Sequence, residues 1–152
     1  MEKSIILQMM QEAQNENLIT CQTRYFDLEE KDPSQVSPLT LAYLGDAVYE
    51  LMIRTLLVEE SSAKAGALHQ QAVRLVKAEK QSELVGILEE HFTEEEERVY
   101  KRGRNAKSPT SAKNADIVDY RRATGLEAVF GYLYLKQDTE RLCQLLKLGL
   151  DL

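Results

Sequence analysis

The chain has 152 residues, 43% of them hydrophobic, with a net charge of −6 and a pI near 5.1. A chain of this length buries about two-thirds of its unfolded surface, enough for one core without disulfide or metal staples. No run of about twenty apolar residues exists, which excludes a membrane-spanning helix. Cys21 and Cys143 stand apart, with only His69 and His91 elsewhere, which argues against a zinc site and for a reducing cytoplasm.

In chain order, a first helix is predicted from Lys3 to about Gln14, its apolar run too short and too soon interrupted for a secretory segment. An irregular polar stretch then reaches Pro38. Ser37-Pro38 is an N-cap followed by proline at the first helical position, and it opens a long helix. Ser61 or Ser62 caps another through His69 and Arg74 to about Lys80, and Ser82 to Glu90 forms a short one. Thr93 with Glu96 makes a capping box for a helix that fails at Gly103. Residues 101 to 115 are the longest turn-forming stretch, and 101 to 113 are predicted to be a mobile loop. Asn114 or Asp116 starts the next helix, and Asp138 caps a last one through Lys147. With no alternating strand pattern and no repeats, the chain reads as all-α.

The stretch LAYLGDAVYELMIR, residues 41 to 54, is the most informative. Leu41, Leu44, Val48 and Leu51 follow the stripe of one buried helical face, and Tyr43, Met52, Ile53 and Leu57 cover much of the rest. Asp46, cushioned by Gly45 and Ala47, is thereby placed in a largely apolar helix, where a buried carboxylate costs several kcal/mol unless compensated. Asp46, Glu50 and Arg54 also suit a solvated stripe, with Glu50 and Arg54 pairing at i, i+4. Glu127 is the one acid between Asp119 and Asp138. Its helical neighbours Ala123, Thr124 and Gly131 are small, which permits two helices to approach closely and two carboxylates to converge on one cation.

From Arg98 to Arg122 the chain carries eight basic side chains and only two acids, Asp116 and Asp119, while its whole is acidic. Such a stripe on an acidic body suits phosphate binding, and Lys101, Arg102, Arg104, Lys107 and Lys113 are its candidate RNA contacts. Arg74 and Lys77 either extend that surface or form a solvated face.

The LGDAV core and RRATGLEAVFGYLYL, residues 121 to 135, together resemble the ribonuclease III family. RGRNAKS, residues 102 to 108, resembles the basic loop of its short, single-domain Mini-ribonuclease III members. With Leu152 as the last residue, no double-stranded-RNA-binding domain is expected. The resemblance covers about residues 27 to 148 and implies a dimeric, all-α endonuclease domain over 27–152, with 1–26 an extension of unknown role. It places Asp46 and Glu127 as catalytic, magnesium-binding carboxylates and implies cleavage of double-stranded RNA to 5′-phosphate and 3′-hydroxyl ends, with precursor 23S ribosomal RNA as substrate. A ribosomal protein that presents this RNA is a further expected partner. Ala42 and Thr124 stand where the classical pattern has two more carboxylates, which weighs against a second tightly held metal. It also leaves room for the alternative of an inactive RNA-binding scaffold of the ribosome. Glu50 either orients water in the site or pairs with Arg54, and Thr124 is a possible support. The family's dimer along the first conserved helix places Tyr43 and Leu44 at the interface.

Overall fold

The computed structural model describes residues 2–107 and 116–150. The chain divides into two compact units, Met1–Lys31 and Asp32–Leu152. The first holds α1 (Glu2–Gln14) and α2 (Leu18–Tyr25). α2 occupies part of the stretch expected to be irregular. Its helix rests on its ends: Asn17 and Thr20 form a reciprocal capping box, and no residue of α2 is buried. Eight residues are a shorter window than a helical apolar period needs to be recognised.

In the second unit a 3₁₀ turn (Pro33–Gln35) precedes α3 (Pro38–Glu60), α4 (Ala65–Val76), α5 (Ala78–Leu88), α6 (Glu94–Asn105), α7 (Ile117–Leu135) and α8 (Thr139–Leu150). There is no strand among the described residues, and no helix is long and apolar enough to cross a membrane. The all-α expectation holds. Four caps fall as the sequence predicts. Ser37 accepts from the Thr40 amide with Pro38 at the first turn, and Thr93 and Glu96 cap each other's backbone. Asp116 accepts from the Val118 amide, and Asp138 from the Arg141 amide.

α7 is the hub, packed against α3, α5, α6 and α8. Nine of its residues from Ala123 to Leu133 are buried, so it has no solvated face to give an amphipathic period. The core joins Leu41, Tyr49 and Ile53 of α3 to Leu84, Val85 and Leu88 of α5, Phe130 of α7 and Leu145 of α8. Tyr49 meets Phe130 edge-on at 5.6 Å between ring centroids. Glu96, buried at the start of α6, receives two 2.8 Å bonds from the Arg141 guanidinium of α8. A buried glutamate is tolerated there because it has a full partner.

Three sequence expectations change. The predicted stripe of α3 is rotated: Leu41, Ala42, Gly45, Val48, Tyr49 and Ile53 are buried, whereas Leu51 is 61% and Tyr43 82% exposed. The helix expected from Ser61 or Ser62 to Lys80 is broken. Ser61 ends α3, Lys64 precedes α4, and extended Lys77 separates α4 from α5, which starts at Ala78 rather than Ser82. The break frees carbonyls that side chains from other helices recover, since the Tyr49 hydroxyl donates to Leu75 O at 2.7 Å and Gln81 Nε2 to Val76 O at 3.0 Å. Finally, α6 does not fail at Gly103 but runs on to Asn105. A Cβ at Gly103 would sit 2.8 Å from the Ala128 Cβ and 3.0 Å from the Gly125 Cα, so this glycine serves helix packing rather than termination.

The crossing of α3 and α7 depends on two more glycines. A Cβ at Gly45 would overlap the Glu127 carbonyl, and one at Gly131 the Leu41 carbonyl. Gly45→Ala should therefore destabilise by about 3 kcal/mol or more, although alanine is otherwise favoured over glycine in a helix by about 1 kcal/mol. Gly66→Ala, in the first turn of α4 with nothing near its Cβ, is the control and should be neutral or stabilising. Urea denaturation of both variants distinguishes them, and a Gly45→Ala variant as stable as the wild type would rule out the close crossing.

Candidate active site

Asp46 follows Gly45 directly in sequence, so the crossing that seats Gly45 on the Glu127 carbonyl carries the Asp46 carboxylate toward that of Glu127. The two are close enough for the charge on Asp46 to raise the Glu127 pKa. Of the two readings of Asp46, the solvated one holds: Asp46 is exposed, and Glu127 is the more enclosed. Burial, then the Asp46 charge, push Glu127 up to about 8 against a hydrogen bond from the Gln81 side chain that favours the charged form. Partial desolvation and the nearby charge of Glu50 raise Asp46 above the usual carboxylate range.

No arginine or lysine contributes to either shift. The Arg122 guanidinium lies near the Tyr100 hydroxyl instead, and lowers its pKa against the larger effect of burial. Glu50 receives a 2.6 Å bond from Arg54, so the ion-pair reading of this acid is realised on the surface of α3. Thr124 donates its hydroxyl to the Tyr120 carbonyl one turn back, at 2.9 Å. Ala42 is packed in the core.

Two groups were not singled out by sequence. Tyr49 is buried close enough to Glu127 for the glutamate charge to raise its pKa further, beyond the larger effect of burial. Gln81, 2% exposed, lies beside Glu127 from α5. A glutamine in the apolar company of Leu84, Val85 and Leu88 was the available signal.

Two repelling carboxylates, one largely desolvated and neither matched by a basic side chain, suit a divalent cation electrostatically. Among the described residues no three Asp, Glu, His or Cys side chains gather to hold a metal. A pair still suits magnesium, which keeps several waters and is usually held by one or two carboxylates together with substrate phosphate.

The basic candidates are dispersed. Because α6 is longer than expected, Lys101, Arg102 and Arg104 lie on a helix and not in a loop. Lys101 also has an acidic partner, Glu97, at 3.1 Å. Arg102 and Arg98 line a surface cavity of about 190 Å³ with Pro33, Val99 and Tyr132. The Arg104 guanidinium lies 5.5 Å from the Tyr100 ring centre. Lys107 is exposed, and Lys113, with the rest of the predicted loop from 108 onward, lies outside the described residues. Arg74 in the last turn of α4 and Lys77 at the α4–α5 junction are exposed. That junction is the one held by Tyr49 and Gln81. Leu44 is half-buried beside the exposed Tyr43.

Residues 39–138 match the model of the ribonuclease III domain. The chain belongs to the ribonuclease III family and is thus an endoribonuclease for double-stranded RNA, of a family that depends on a divalent metal. Within that family it is similar to proteins named Mini-ribonuclease 3. It is 48% identical over 133 residues to that of Clostridium tetani, spanning 85% of this chain and 88% of the relative. It is 50% identical over 118 residues to that of Enterococcus faecalis, spanning 76% and 89%. The crystal structure of a Fusobacterium nucleatum protein superposes with a TM-score of 0.72 at 30% identity, over 80% of this chain and 97% of that one.

The raised pKa of Glu127 has a thermodynamic consequence without metal. A carboxyl that ionises near 4.5 unfolded and near 8 folded contributes stability that is fully present below pH 4.5 and lost as pH rises through about 8. Glu127→Gln cannot ionise. In EDTA its unfolding free energy should exceed that of the wild type by an amount that grows from pH 5 to pH 8.5, reaching on the order of a few kcal/mol. Parallel pH profiles for the two proteins would refute the shift.

Proposed function

We propose that the chain is a magnesium-dependent endoribonuclease that acts on precursor 23S ribosomal RNA, with Asp46 and Glu127 as the metal-binding, catalytic carboxylates. The observation that carries this reading is the pairing of the two acids across the α3–α7 crossing without a basic partner. The ion, when bound, acidifies water for attack on phosphorus and offsets charge building on the phosphate oxygens. Glu127 offers a carboxylate whose orientation is restricted by burial, and Asp46 offers one open to solvent and substrate. Glu50, held by Arg54, adds negative potential at Asp46 without entering the site itself. Thr124 supports α7 through its bond to Tyr120. Hydrolysis on this plan leaves 5′-phosphate and 3′-hydroxyl ends. An inactive scaffold would have no use for the repulsion between Asp46 and Glu127. Asp46→Asn and Glu127→Gln should each fold and each lose roughly a hundredfold or more in cleavage rate on a long RNA duplex with magnesium. Folded variants that cleave at the wild-type rate would sink the assignment, whereas Thr124→Ala should retain most activity.

The RNA surface combines Lys101, Arg102, Arg104 and Lys107 with Arg74 and Lys77, and Lys113 from outside the described residues. A-form RNA presents a wide minor groove of 2′-hydroxyls flanked by phosphates, so shape and charge dominate recognition. Each lost phosphate contact should shallow the salt dependence of binding by a little under one log unit per log unit of salt. An alanine variant at Arg74, Lys77, Arg102 and Lys107 should bind more weakly with a lower slope. An unchanged affinity and slope would show that these side chains are only solvated.

A second copy of the chain covers Tyr43 and Leu44 on this proposal. Support comes from the apolar residues that α3 leaves exposed, Tyr43, Leu51 and Val58, because one helix with this much uncovered apolar surface marks an association site. A ribosomal protein that presents the RNA remains an additional partner in this proposal, as does a cytoplasmic location. Sedimentation should show a dimer that Tyr43→Asp dissociates. A fully active 17.3 kDa monomer at high concentration would overturn the dimer.

A further inference from the structure

The charges of α6 are paired selectively. Of the glutamates in its first turn, Glu95 holds Lys136 at 3.0 Å, Glu96 holds Arg141 at 2.8 Å and Glu97 holds Lys101 at 3.1 Å. Arg98 and Arg102 are exposed and have no ion-pair or hydrogen-bond partner among the described residues, Glu94 one turn before Arg98 included. These same two arginines, one turn apart, line the cavity of about 190 Å³ whose walls are Pro33, Leu41, Val99 and Tyr132. Glu95 and Ser34 complete the lining. Lys136 offsets the charge of Glu95, and the Ser34 hydroxyl and amide both donate to Asp32, at 2.8 and 3.0 Å. The donors left at the cavity are the two guanidiniums. Like charges one turn apart on a helix repel, and apolar walls keep out the water that would screen them.

We propose that this cavity binds a phosphate group, held between the Arg98 and Arg102 guanidiniums. A carboxylate is satisfied by one guanidinium fork, whereas a phosphate has the oxygens and the charge to accept from two. The cavity is set apart from the carboxylate pair. Leu41 precedes Asp46 by five residues on α3, and Tyr132 follows Glu127 by five on α7. The two helices run antiparallel there, since Gly45 meets Glu127 and Gly131 meets Leu41. Five residues are roughly 7.5 Å of axial rise and about 140° of rotation. The cavity therefore opens on the side of α3 and α7 that faces α6, away from the side that carries Asp46 and Glu127. A phosphate seated here is not the one at the carboxylates. The group belongs either to an RNA backbone or to a free phosphate compound, and both present the same oxygens. Only the first source rests on the reading of this chain as an enzyme that binds RNA.

The test is an NMR titration of the full chain with inorganic phosphate, in metal-free buffer at constant ionic strength set with chloride. The proteins are the wild type, a variant with Arg98→Gln and Arg102→Gln, and a control with Lys3→Gln and Lys64→Gln. The control removes the same charge from exposed positions outside the cavity. In the wild type the Arg98 and Arg102 Nε–Hε resonances should move together along one saturable curve. The arginine variant should bind phosphate roughly tenfold or more weakly, read from the Ser34 and Val99 amides, and the control should bind as the wild type does. Shifts that do not saturate in the wild type, or equal affinity in the arginine variant, overturn the site. If that variant does not fold, the wild type decides alone, because Arg98 and Arg102 resonances that stay fixed overturn the site as well. A short RNA duplex then distinguishes the sources. A duplex that displaces phosphate from Arg98 and Arg102 assigns the cavity to the RNA backbone. One that binds and leaves the phosphate in place assigns it to a free phosphate compound. A duplex that does not bind, on a protein that still takes up phosphate, overturns the RNA reading and leaves the site intact.

Discussion

Gly45 rests on the carbonyl of Glu127 and Gly131 on that of Leu41, and the rest of the domain is arranged around this double contact of α3 with α7. Side chains on both helices would hold their axes farther apart, whereas glycine lets backbone meet backbone. The contact also fixes register. With Gly45 seated at Glu127, Asp46 is carried to the same place, and Tyr49, one turn on, meets Phe130 and borders Glu127. Helix α6 uses the same device on another side of α7, where Gly103 lies against Gly125 and Ala128. A helix enclosed by four neighbours can hold a carboxylate out of water, and α7 does so.

Two glutamates illustrate the difference between an acid with a full partner and one without. Glu96 is almost fully buried, yet Arg141 binds both its oxygens and the Thr93 amide donates to one of them. The effect is to fasten the start of α6 to α8. Glu127 has the charge of Asp46 beside it and one amide donor, and it is driven to a pKa of about 8. An arrangement of that kind costs stability when nothing balances it. On the proposed function, it supplies negative charge where a cation and phosphate would meet.

The α4–α5 junction joins packing to surface chemistry. A chain break at Lys77 releases carbonyls that the core must satisfy, and the two side chains that do so, Tyr49 and Gln81, are both neighbours of Glu127. The exposed cations Arg74 and Lys77 flank this same segment. This junction therefore lies between the enclosed carboxylate and two exposed cations of the surface.

The sequence by itself determined the helical class, the caps at Ser37, Thr93 and Asp138, and the two segments that carry Asp46 and Glu127, and it narrowed the start of α7 to Asn114 or Asp116. These are local properties: a cap is written within four residues, and an apolar period within a few turns. Only the tertiary structure decided which face of α3 is buried, because Leu51 and Tyr43 are as apolar as the residues that turned inward. It also decided that Glu127, not Asp46, bears the burial, since enclosure comes from helices distant in sequence. The break at Lys77 was hidden because its freed carbonyls find partners on α3 and α5. Gly103 misled because a glycine that ends a helix and one that lets another helix approach look the same in a sequence. Gln81 was invisible for a similar reason: its bond to the Val76 carbonyl is made only where folding breaks the chain between α4 and α5.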